Sequence, residues 1–221
     1  MAIFLCYTLY GDIMKIAKPK ITTLNESTIE ECFFNNEFNK VIIKDNDKKN
    51  YTIESITFDE CEFDNISFKN IILDNVDFVD CIFKNCDLSN QVFDKKLIRR
   101  VVFDNCKLVG TSMTNCNLKD VEFINCHATY INLAGSKLDH IRINESDFTE
   151  SIFIDSTIKS VEFINNKMIK IDFQGATHEK LDLSNNETDG MYFNQNFIKD
   201  LTLDLYQCGY VARCLGVNLK E

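Results

Sequence analysis

Phe83-Lys84-Asn85-Cys86, Phe103-Asp104-Asn105-Cys106 and Phe123-Ile124-Asn125-Cys126 are one tetrad written three times, twenty residues apart. A finer repeat runs through them. Phe58, Phe63, Phe68, Leu73, Phe78, Phe83, Leu88, Phe93, Ile98, Phe103 and Leu108 stand five apart. Two places before each large residue sits a small or apolar one, as at Ile56, Cys61, Ile66, Ile71, Val76, Cys81 and Cys86. The other three places are mostly Asp, Asn, Glu, Lys, Ser and Thr. A period of five is neither the face of a helix nor the alternation of a strand. It fits a chain that turns a corner every five residues, with the large and the small residue inside. A period of twenty makes four sides one coil. Stacked coils bond to one another as parallel strands, about 4.8 Å apart.

The register predicts ladders. Phe63, Phe83, Phe103, Phe123 and Phe163 stack inside, and so do Cys86, Cys106 and Cys126. Asn65, Asn85, Asn105, Asn125, Asn165 and Asn185 fall where corners turn, and Asn tolerates corner geometry. Ala128 is an undersized inward residue that Tyr130 or His127 compensates. The whole resembles the pentapeptide-repeat family, whose pattern is small, Asp/Asn, Leu/Phe, x, x. That resemblance covers roughly residues 33–203. It implies an all-β, right-handed, four-sided parallel β-helix. The small place here holds Cys, Ile or Val more often than the family's Ala.

Composition agrees with one domain. The chain has 221 residues, eighteen Phe, one Pro and a net charge of −10. That acidity excludes a general nucleic-acid binder, which needs a basic patch. Ten cysteines raise the idea of a disulfide scaffold. Cys61, Cys81, Cys86, Cys106, Cys116 and Cys126 all take the inward small place, so they read as buried apolar residues of a reduced, cytoplasmic protein. No metal or cofactor is expected. Residues 1–13 are apolar but too short to span a bilayer. They are either an extension upstream of Met14 or a cap on the first coil.

The expected layout is an N-terminal extension or cap at 1–22, the β-helix at 23–204, and a C-terminal helical cap and dimerisation segment at 205–221. Phe33, Phe38 and Ile43 bring in the five-period, and Lys48 stands at an inward place on a looped side. His178 breaks the pattern and reads as a distorted corner. Phe193, Ile198 and Leu203 close the coil. In the tail, Leu205, Cys208, Val211, Ala212 and Leu215 lie near helical spacing. Tyr206-Gln207 and Leu215-Gly216-Val217 resemble the tail of the quinolone-resistance pentapeptide proteins. The resemblance implies a homodimer through Leu205, Tyr206, Cys208, Val211 and Leu215, and a rod that mimics duplex DNA on DNA gyrase or topoisomerase IV.

Charge is unevenly placed. Residues 51–90 and 144–206 are acidic, and a mildly basic belt that includes Lys95, Lys96, Arg99 and Arg100 lies between. Asp80, Arg100 and Asp120 stack with alternating sign and read as an ordinary surface ladder of little worth. Glu54, Asp74 and Asp94 stack with no cation between, and Glu162 and Asp182 repeat this on another side. Like charges so placed oppose folding, so these five acids are the candidate partner-binding residues. No phosphate loop, HExxH, paired CxxC or GxSxG is present, and no enzyme is expected. The rival reading is a passive interaction scaffold for some other protein.

Overall fold

The computed structural model describes residues 14–44 and 49–220. The expectations for residues 1–13 and for Lys48 lie outside the described residues. The chain is a parallel β-solenoid of about eight coils with a short C-terminal helix. At about 4.8 Å per coil it is a rod about 38 Å long.

The N-terminal end starts with β1 (Asn25–Ser27) and α1 (Ile29–Asn35). Then come β2 (Val41–Ile43), β3 (Tyr51–Glu54), β4 (Thr57–Asp59), β5 (Glu62–Asp64) and β6 (Ile71–Asp74). Five eight-residue strands follow, each twenty residues after the last: β7 (Asp77–Lys84), β8 (Leu97–Asp104), β9 (Asn117–Ile124), β10 (Lys137–Asn144) and β11 (Thr157–Ile164). β12 (Thr177–His178) and α2 (Leu205–Cys214) end the rod.

Each eight-residue strand is two sides joined at a corner. The corner residues Asp80, Arg100, Asp120, His140 and Ser160 have φ of 53°, 52°, 55°, 57° and 51°. Left-handed backbone is unfavourable for such residues, and the parallel ladder on either side over-determines it. Phe83 pairs with Phe103 and Phe103 with Phe123 in register. Their rings stack, with centroids 5.1 Å apart and planes within 13°. Phe63 joins the column over Phe83 at 4.9 Å. Ile143 interrupts it in the next coil, so Phe163 sits edge-on to Phe153 and Phe173 instead. Asn65, Asn85, Asn105, Asn125 and Asn165 take left-handed φ as corners. Asn185 does not, because the sheet has shrunk to two residues at β12 by that coil.

The cysteines have a second reason to be where they are. Each thiol reaches the carbonyl twenty-three residues earlier: Cys61 to Phe38, Cys81 to Phe58, Cys86 to Phe63, Cys106 to Phe83, Cys116 to Phe93 and Cys126 to Phe103. Thr111, Ser136, Asn166 and Asn186 make the same reach. Where the small place holds a cysteine or a polar residue rather than Ile or Val, its side chain can thus donate a hydrogen bond inside the rod. Burial pushes the Cys116 thiol up to about 11 and Cys126 up to about 12.

Three expectations change. Phe33 lies on α1, not on a β side. Thr28 caps that helix reciprocally with Glu31, which wins over the five-period locally. Tyr130 is exposed and fills nothing; Phe148, from the coil below Ala128, packs edge-on to Phe123 at 5.7 Å. At the C-terminal end Phe197, not Ile198, stacks on Phe173 at 4.7 Å, because residues Gln195–Ile198 form a 3-10 turn. His178 packs under Phe197; its Nε2 lies 2.6 Å from the Phe197 carbonyl and its Nδ1 accepts from the Leu181 amide. Both ring nitrogens are used by the turn.

Candidate functional site

Two acidic rows run along the rod. In the first, Glu54 and Asp74 are register partners on β3 and β6, and both are exposed. Their inward neighbours Ile53 and Leu73 are buried, so strand alternation forces the two carboxylates outward. Asp94 belongs to the next coil but turns elsewhere. Its carboxylate accepts from Ser112 Oγ at 2.6 Å and from the Thr114 amide at 2.9 Å. Burial raises the Asp94 pKa, and these hydrogen bonds more than offset it, holding the carboxyl below its ordinary value. Asp182 is exposed and accepts from Ser184 within its own turn.

The second row is covered. Residues 14–22 run along the rod over the corners of the long strands, opposite in direction to the advance of the coils. The Met14 amide donates to Glu162 Oε1 at 2.9 Å, Ala17 to Asp120 at 3.0 Å, Lys20 to Asp80 at 2.7 Å and Thr22 to Glu60 at 3.0 Å. Lys18 pairs with Glu122. Arg142 bridges Glu122 and Glu162 and donates through Nη2 to the Met14 carbonyl. Glu162, expected in a like-charge ladder, is thus held by a cation and by this segment.

Beneath the segment, Arg100 binds Asp80 through both Nε and Nη2, and the two residues are buried. The alternating ladder at Asp80, Arg100 and Asp120 is therefore not an ordinary surface ladder: residues 14–22 shield it from water. Burial raises the Asp80 pKa, but Arg100 and the Lys20 amide overcome it and hold it low. Hydrogen bonds from Thr22 lower that of Glu60. Sequence alone offered two hints of this segment, the single Pro19 and the three lysines at 15, 18 and 20.

A basic row flanks it. Arg99, Lys119, Asp139 and Lys159 are successive register partners, and Asp139 lies 3.3 Å from Lys119. On the far side a groove of about 330 Å³ runs along Asn65, Asn85 and Asn105 to His127. Among the described residues no three His, Cys, Asp or Glu side chains are placed to hold a metal, and no helix is long and apolar enough to cross a membrane.

The C-terminal helix separates its faces. Asp204 and Gln207 cap it reciprocally, and Gln207 Nε2 donates to the Leu183 and Asn186 carbonyls of the last coil. Val211 is buried against the rod. Leu205, Tyr206 and Leu215 are exposed large apolar residues, with Cys208 exposed beside them.

A family model described as "Pentapeptide repeat region" matches residues 76–153, and one for "Pentapeptide repeats (8 copies)" matches residues 56–90. No curated protein sequence matches the chain. Among solved structures, trypsin-treated QnrB1, described as a plasmid-mediated fluoroquinolone resistance protein, is 16% identical. That match covers 90% of this chain and 98% of that one, with a TM-score of 0.36. HetL, a pentapeptide repeat protein of the cyanobacterium Nostoc involved in heterocyst differentiation regulation, is 12% identical over 79% of this chain and 92% of that one, with a TM-score of 0.34. A pentapeptide repeat protein of the Arabidopsis thaliana thylakoid lumen is 14% identical over 41% and 63%, with a TM-score of 0.27. Residues 56–153 thus match models of the pentapeptide repeat, and the same twenty-residue register continues beyond the matched residues.

Proposed function

We propose that this rod is a non-catalytic, DNA-mimicking partner of a type II topoisomerase, DNA gyrase or topoisomerase IV, in the cytoplasm. In this reading it protects the enzyme from a quinolone-like drug or a toxin, or modulates it. The observation that carries the reading is the exposed pair Glu54 and Asp74, stacked one coil apart on a chain of net charge −10. Like charges at that spacing oppose folding, so their presence argues for use. The rod's length supports it: about 38 Å is about eleven base pairs of duplex at about 3.4 Å each. A homodimer through Leu205, Tyr206, Cys208 and Leu215 doubles that length, with Val211 fixing the helix to its own rod. Asp94 and Asp182 extend the acidic surface more weakly, since each carboxylate also accepts local hydrogen bonds.

The test is gyrase supercoiling titrated with purified protein, with and without a fluoroquinolone. Rescue in the drug's presence is the result for a protection factor; inhibition without drug is the result for a competitor of DNA. No effect at micromolar protein moves the reading to an interaction scaffold with a different partner. The row of Arg99, Lys119 and Lys159 favours that second reading, because cations on a mimic repel the basic surface with which an enzyme holds DNA.

A further inference from the structure

Residues 14–22 are a peptide already bound to a surface. Pro19 supplies no amide donor and keeps Lys18 extended. The amide donors are Met14, Ala17, Lys20 and Thr22; the first three stand three residues apart and their acceptors Glu162, Asp120 and Asp80 lie about two coils apart, while Thr22 reaches Glu60 in the next coil. Three residues of polyproline-II chain advance about 9.3 Å, and two coils advance about 9.6 Å. The two periods match, so every third amide of such a chain meets a carboxylate. Lys18 adds one ion pair, to Glu122, and Ile16 is buried. Thr22 Oγ1 also donates to Glu60; the other hydrogen bonds are from main chain, which any extended segment carries.

The strip is acidic without its cover. Glu60, Asp80, Asp120, Glu122 and Glu162 outnumber Arg100 and Arg142, and the covering segment brings Lys15, Lys18 and Lys20. Charge and spacing together define a ligand: an extended, polyproline-II-like peptide with a lysine where Lys18 sits.

We propose that this strip is a binding site for an extended, proline- and lysine-containing segment of a partner protein, and that residues 14–22 occupy it from within the chain until such a segment displaces them. The proposal concerns a different face from Glu54 and Asp74, and it stands or falls independently of the topoisomerase reading.

The probe is an N-acetylated, fluorescein-labelled synthetic peptide of residues 14–22. A chain lacking residues 1–22 is expected to bind it saturably, and the full chain at least about tenfold more weakly. Raising sodium chloride from about 50 to about 500 mM weakens binding severalfold, because the pairing is ionic. Methylating the backbone nitrogens at the positions of Ala17 and Lys20, or exchanging the Lys18 equivalent for Glu, abolishes it. A folded truncated chain that does not bind the probe, or binds the methylated peptide equally, overturns the proposal. If the truncated chain fails to fold, amide exchange on the full chain decides. The Ala17, Lys20 and Thr22 amides should exchange far faster than the Phe103 amide and faster still with millimolar unlabelled peptide. Protection equal to that of Phe103, unmoved by peptide, overturns it.

Discussion

The two acidic rows carry the same kind of charge at the same coil spacing and meet opposite fates. Glu54 and Asp74 are left to water. Asp80 and Glu122 lie under residues 14–22, each with an arginine partner and a contact from the covering segment. Two things make the difference: the rod sets Arg100 and Arg142 beside the covered acids, and one extended segment, whose amide spacing fits two coils, lies over them. A charge count along the sequence cannot separate the rows; cover can.

Breaking the covered row should have the largest effect. Arg100→Ala leaves Asp80 charged and buried, and should cost about 3–5 kcal/mol in chemical denaturation. The exposed pair of Lys167 with Asp147, at 3.6 Å, is the contrast: Lys167→Ala should cost no more than about 0.5 kcal/mol. Equal losses would mean that the segment does not shield the row.

Acid should act on the covered row next. Asp80 and Glu60 have depressed pKa values in the folded chain. Their contribution is complete above the unfolded carboxylate value of about 4 and is lost as pH falls through the lower folded values. Proteolysis after Lys20 should therefore accelerate below about pH 4, in an acid-active protease, before the coils lose their circular dichroism. Simultaneous loss of both signals would contradict a separately released segment.

Smaller still is Ala17→Pro, which removes the amide that Asp120 accepts. A hydrogen bond to a charged group at an exposed site is worth about 1 kcal/mol, read as faster exchange at Lys20. Smallest is Glu54→Lys, which turns repulsion from Asp74 into attraction and should stabilise the rod by about 0.2–1 kcal/mol. The same change should weaken any topoisomerase effect, so that stability and function move in opposite directions.

Much of the fold was legible because it repeats. The Phe63, Phe83, Phe103 and Phe123 column and five of the Asn corners follow from a period of twenty. The exceptions are local. Thr28 and Glu31 form a capping box that places Phe33 on a helix, and that four-residue signature was present in the sequence. Phe197 displaces Ile198 because Asn194 caps a 3-10 turn, a shift of one residue that a five-period cannot express. The cover on the second row was the least legible, since Met14 and Ala17 act through backbone amides and their side chains announce nothing. The thiol reach to a carbonyl twenty-three residues back was also hidden, although Thr111 and Ser136 filling the same place as Cys86 hinted at a shared donor.

Carboxylate footprinting tests the two-row account most directly. The folded protein is treated briefly with a water-soluble carbodiimide and an amine at neutral pH, alone and with gyrase, and the labelled sites are mapped by mass spectrometry. Heavy labelling of Glu54 and Asp74 is expected, with sparing of Asp80 and Glu122, and loss of label at Glu54 and Asp74 when the enzyme is added. Equal labelling of all four residues would contradict the cover, and undiminished labelling of Glu54 and Asp74 in the presence of gyrase would contradict their role as the topoisomerase-facing surface.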